Sequence, residues 1–182
     1  MKHFKIIYLS IIALLALSCS DDDSYSNNNP QPVPQEFSVV AQGTAVAQVK
    51  TITDPQTGEP AEAFCFLMDL FDAQTGELIG TLEDCDTGTI ELEDGSLVSE
   101  ITTTFNINGK GSFVSQGNVL QVPVGDGIFT TSFTPTENNI VNGTFDFEGV
   151  EGKTTLNGEV DLTLFDSNII TFNCLFDVEL VN

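Results

Sequence analysis

The chain reads as an all-β protein, an antiparallel barrel or sandwich built from many short strands. Three observations predict it. Apolar residues recur with period two. Short alternating segments follow one another at roughly ten-residue intervals. Turn dipeptides punctuate them: Thr57-Gly58, Thr75-Gly76, Asp94-Gly95, Asn108-Gly109, Gln116-Gly117 and Asp126-Gly127. No segment keeps helical spacing for more than a few residues.

In chain order the predicted strands are 37–49, 62–71, 77–85, 88–92, 97–107, 110–122, 128–133 and 140–148, followed by a C-terminal hairpin. Segment 62–71 is apolar on both faces, with Phe64, Phe66, Met68 and Leu70 against Cys65, Leu67 and Phe71. Part of its outer face is therefore expected to be covered. The hairpin is the clearest element. Leu156, Val160, Leu162 and Leu164 alternate with polar residues, as do Ile170, Phe172, Cys174, Phe176, Val178 and Leu180. A turn at Asp166-Ser167-Asn168 pairs Phe165 with Ile169 and Leu162 with Phe172, which puts both apolar rows on one face. Thirteen phenylalanines follow Phe4, mostly on inward rows, and packing the core is their expected task.

Composition excludes several chemistries. All 27 acidic residues lie beyond Cys19, against Lys50, Lys110 and Lys153, so that part carries a net charge of −24. Such a surface repels phosphate backbones, and no nucleic-acid partner is expected. The one histidine is His3, and arginine and tryptophan are absent. Imidazole acid–base work, serine–histidine pairs and histidine metal sites are excluded beyond Cys19, as is a guanidinium clamp. No cofactor is expected.

Lys2 and Lys5 precede the twelve-residue, mostly apolar run Ile6 to Leu17. That is shorter than the roughly 20 residues of a spanning helix, and it fits a secretory signal. Leu17-Ser18-Cys19 resembles the cleavage box of bacterial lipoproteins, in relaxed form because Ala16 and Leu17 replace the usual Leu and small residue. Ser20-Asp21-Asp22-Asp23 resembles the export tract of Bacteroidetes surface lipoproteins. The resemblance implies a signal peptide over 1–18 and acylation of Cys19. It places the chain at the outer membrane on the extracellular face, with the periplasmic face as the alternative. The residues also admit an ordinary cleaved signal followed by a solvated acidic tether. Acyl chains contribute about 0.8 kcal/mol per buried methylene, enough to hold a domain at a membrane without a transmembrane helix. Residues 19–36 form the tether, with Asn/Pro/Gln-rich SYSNNNPQPVPQE over 24–36, and the barrel domain takes 37–182.

Ile140 to Gly152 resembles the glycine-rich strand and turn of the allene oxide cyclase and dirigent-type barrels. Gly143, Thr144, Phe147, Gly149 and Gly152 match that pattern, and Phe145 replaces its second glycine. Gly149 and Gly152 are expected to free the turn for positive φ, with Phe145 and Phe147 pointing inward. The resemblance implies an eight-stranded barrel with a closed or narrow interior, and it transfers no active site. A lipocalin-like barrel is the structural runner-up and a two-sheet sandwich comes third.

Three cysteines beyond Cys19 leave room for one bridge and one thiol. Cys65 and Cys85 flank Asp72 to Glu77 nearly symmetrically and are candidates for a cross-hairpin disulfide, while two reduced, buried thiols are the favoured reading. Asp84, Asp86, Glu91 and Glu93 are weak calcium candidates, since Asp84-x-Asp86-x-Gly88 lacks a third ligand and Gly95 stands where a closing Glu belongs. Solvated hairpin edges are the simpler account of these acids. Asp69 shares a face with Cys65, Leu67 and Phe71 and is the candidate inward carboxylate for ligand or acid–base work. A partly exposed rim position is its simpler reading.

The expectation is a lipid-anchored lipoprotein of the cell envelope whose barrel is a non-enzymatic binding or accessory module. Its expected partners are the membrane, through the anchor, and a small apolar ligand or an envelope protein. The alternatives are a cyclase- or dirigent-like enzyme acting on an apolar molecule through a carboxylate such as Asp69, and a purely structural component. A sealed interior favours the structural class. An open cavity of roughly 300 Å³ or more with an inward carboxylate favours a carrier or enzyme.

Overall fold

The computed structural model describes residues 35–181. The expected signal peptide, Cys19, the tract Ser20 to Asp23 and most of the tether lie outside the described residues. The chain forms β1 (Gln35–Val46), β2 (Gln48–Thr53), β3 (Pro60–Asp72), β4 (Leu78–Glu91) and β5 (Leu97–Ile107). It continues through β6 (Gly111–Gly125), β7 (Ile128–Phe133), β8 (Ile140–Gly143), β9 (Glu151–Asp161) and β10 (Ile169–Val181). All strand pairs are antiparallel. The order runs β1-β10-β9-β7-β6-β5-β4-β3, and Val39–Gln42 of β1 pairs with Asp72–Asp69 of β3 to close the ring. The result is an eight-stranded barrel with two extra strands, β2 and β8. Closure leaves no free edge around the ring.

The extra strands complete the wall locally. β2 carries the line of β1 on along Pro60–Cys65 of β3. β8 pairs with Phe113–Ser115 of β6, while β7 pairs farther along β6 and with β9. Where β7 gives way to β8, the buried Asn139 stitches the wall. Its backbone donates to Gly152 and accepts from Gln116, and its side chain bonds Thr154. The turns before and after β3 use one device twice. In Asp54-Pro-Gln-Thr-Gly-Glu59 and Asp72-Ala-Gln-Thr-Gly-Glu77 the aspartate accepts two backbone N–H groups, and the glycine takes positive φ.

Several sequence expectations need correction. Segments 77–85 and 88–92 are one strand, β4, with an irregularity between Asp86 and Gly88 that breaks the period-two pattern. Gln116-Gly117 is no turn but the middle of β6. A Cβ on Gly117 would lie 2.3 Å from a ring carbon of Phe133, so that ring needs a glycine beneath it. The C-terminal hairpin has Phe172 opposite Val160, a slip of two residues from the expected register. β9 stops at Asp161, and residues 162–168 form a longer connection with a 3₁₀ turn at Phe165–Ser167 and Asn168 at φ 59°. A slip of two preserves which face each side chain takes. Leu164 is nevertheless exposed, because it sits in that connection.

Segment 140–148 is a strand only to Gly143. It then makes a 3₁₀ turn over Phe145–Phe147. Phe147 is buried, but Phe145 points outward and is 83% exposed. Its φ is +54°, the left-handed conformation that a glycine would take freely. Gly149 and Gly152 have positive φ as expected.

Cys65 and Cys85 are joined by a disulfide, against the favoured reading of two thiols. The β3–β4 register makes them a direct cross-strand pair with Cα atoms 4.0 Å apart. Ala63 and Ile52 cover the bridge on the outer face, so the outer row of β3 is covered there while Leu67 stays exposed. Cys174 is the free, buried thiol.

Candidate functional site

The barrel interior divides into two halves. In one, Phe105 stacks on Phe113 with ring centroids 4.5 Å apart, and the edges of Phe176 and Phe37 close around them. Phe147 packs on Phe113 from the β8–β9 connection. This half is solid. In the other half the inward rows leave a cavity of about 210 Å³. Phe66, Leu156, Val160 and Phe172 give it apolar walls, with Phe176 and Cys174 toward the packed half. A dry apolar cavity of about 150 Å³ already holds benzene.

β4 brings charge into this chamber. Leu82 is fully buried in the core, and the two-residue alternation carries Asp84 and Asp86 onto the same inward row. Asp84 is 8% exposed and stands directly across from Phe66 on β3 and Thr103 on β5. Thr103 donates its hydroxyl to Asp84 Oδ1 at 2.5 Å. Burial, and then the neighbouring charge of Asp86, push the Asp84 carboxyl up to about 6, with the Thr103 bond acting the other way. Asp86 is better provided for: it accepts the Gly88 N–H at 2.8 Å and the Thr89 hydroxyl at 2.6 Å. Thr89 meets Ser99 at 2.6 Å, and Gln121 reaches Ser99 at 3.5 Å, so a polar chain crosses β4, β5 and β6 on this wall.

Cys174 lies on the inward row of β10. Burial and the charge of Asp84 push its thiol up to about 12, so it stays protonated and unreactive at neutral pH.

The predicted site residues are redistributed. Asp69 is exposed on the outer row of β3, so it is not the inward carboxylate. Its row shares parity with Cys65 and Leu67, and the inward row is Phe66, Met68 and Leu70. Asp84 takes the inward place instead, rather than sitting on a solvated edge. Glu91 and Glu93 are exposed beyond the bulge, apart from the Asp84–Asp86 pair. Among the described residues no three His, Cys, Asp or Glu side chains converge for a metal. The signal that would have found Asp84 was present: it is two residues after Leu82 in a strand with alternating burial.

No family model matches the chain, and no curated protein matches it.

Proposed function

We propose that this chain is a lipid-anchored envelope lipoprotein whose barrel is a non-enzymatic binding module for a small apolar ligand. One observation carries the binding part: the barrel is solid at one end and hollow at the other, with apolar walls around a placed polar group. A purely structural barrel has no use for the hollow half, which costs packing. The cyclase- or dirigent-like alternative loses Asp69, and Asp84 lacks a second poised group because Cys174 stays a thiol and Thr103 is already committed to it. Binding therefore fits the chamber better than turnover.

The chamber is smaller than the roughly 300 Å³ of drug-sized pockets, which points to a compact ligand. The direct test is a titration of the full-length chain, in zwitterionic lipid nanodiscs, with toluene. Methyl NMR signals of Ile101, Leu156 and Ile170 should shift and saturate. In Val119→Phe, which puts a ring into the chamber, the shifts should vanish while the rest of the spectrum persists. Unmoved signals in the native chain would end the reading.

The anchor part rests on the resemblance of Leu17-Ser18-Cys19 and of Ser20 to Asp23 to surface lipoproteins. The tether then holds the barrel outside the outer membrane. Alanine at Asp21, Asp22 and Asp23 should remove protease access to the protein on intact cells. Access unchanged by the substitutions contradicts export by that tract.

A further inference from the structure

Resting on the binding reading above, we infer that the chamber takes a small hydrophobic amine in its ammonium form, with the N–H groups on Asp84 and the apolar body against Phe66 and Phe172. The charge arrangement carries this. Asp84 and Asp86 share the inward face of β4, and no lysine lines the chamber. The three lysines beyond Cys19 are placed elsewhere: Lys50 pairs with Glu83 on the outer face, Lys153 donates to the Thr136 carbonyl, and Lys110 sits in the β5–β6 turn.

The second oxygen of Asp84 takes no hydrogen bond among the described residues. Gln116 Oε1 is the one fully buried side-chain N or O there without a partner, so the Asp84 oxygen is not sealed away and keeps contact with the open space. Asp86 has both oxygens occupied by Gly88 and Thr89 and acts on the chamber through its field. A neutral alcohol would satisfy the free oxygen but leave the charge uncompensated. A carboxylate ligand, such as a fatty acid, would add a third negative charge. An ammonium group satisfies the oxygen and relieves both the burial penalty and the repulsion from Asp86. Phe66 lies directly across the strand pair from Asp84, and its ring meets Phe172 edge-on at 6.2 Å, which offers an aromatic wall beside the carboxylate.

Other titratable groups facing Asp84 are Asp86 on its own strand and Cys174 on β10, and the thiol does not ionise near neutrality. Loss of ammonium binding as pH falls from 7.5 to 5 therefore reports Asp84, since benzylamine keeps its charge over that range.

The test compares benzylamine, benzyl alcohol, toluene and benzoate on the same nanodisc-held full-length chain. Benzylamine should bind at least about tenfold tighter than benzyl alcohol at pH 7.5, the scale of one charge-assisted hydrogen bond. Benzoate should not bind. The amine's advantage should disappear in Asp84→Asn and at pH 5, while toluene binding survives both. Toluene and benzyl alcohol binding with no preference for the amine overturns this inference and leaves the binding module standing. Failure of all four probes overturns both.

Discussion

Inside the barrel, Asp84 gives up most of its hydration for one hydroxyl and a wall of carbon, and that loss is the main cause of its raised pKa. Phe145 is a second costly residue. A β-carbon in the left-handed region costs about 1–2 kcal/mol, and a ring that is 83% exposed recovers little by burial. The turn holds it there through Asp146 N–H to the Lys110 carbonyl and Thr144 N–H to the Ser112 carbonyl. Neither residue was read from the sequence as it stands in the fold, although the alternation after Leu82 offered a signal for Asp84. Asp84 was hidden in a chain with 27 acids, where an acidic run reads as a solvated edge. Phe145 alternates correctly with Phe147 for a strand, and period two cannot report that the backbone leaves the sheet after Gly143.

At the scale of elements, alternation settled most inward rows, but not that of β3, which is apolar on both faces, and not where pairs begin. The hairpin of β9 and β10 slipped by two residues because an even slip leaves both apolar rows inside, so hydrophobic pattern alone cannot separate the two registers. β4 and β6 hid in another way: an irregular pairing split one in two, and a packing glycine posed as a turn in the other. The disulfide belongs to this scale because it fastens β3 to β4 over a separation of 20 residues. Closing a loop of that size removes unfolded-chain entropy equivalent to about 3 kcal/mol. Replacing Cys65 and Cys85 together by alanine should lower the unfolding free energy by about that amount in urea titration, and an unchanged midpoint would contradict it.

Over the whole molecule, the all-β class followed from frequent turns and short amphipathic strands, which left barrel and sandwich both open; the glycine-rich resemblance implied the barrel, and the β1–β3 pairing closes it. The hollow half did not follow, since side-chain volumes are not summed by a periodicity. Electrostatics at this scale has two opposing parts. Asp54, Asp72 and Asp94 have carboxyls held below their ordinary range by backbone N–H groups, and Asp161 chiefly by the Thr163 side chain, so their contribution is lost as pH falls through the acid range. Asp84 runs the other way. Its folded-state pKa is raised, so its contribution is most favourable below its ordinary value of 3.8 and is lost as pH rises through about 6.

Comparing native protein with Asp84→Asn cancels those four carboxylates and isolates the chamber. Chemical denaturation of both at pH 7 and pH 4 therefore tests most directly that the barrel keeps an ionised carboxylate in an apolar hollow at a cost to its own stability. Asp84→Asn should be more stable than the native chain by about 2–3 kcal/mol at pH 7, with most of that gain gone at pH 4. An Asp84→Asn protein that is less stable at pH 7 would mark Asp84 as a satisfied structural group and contradict the account.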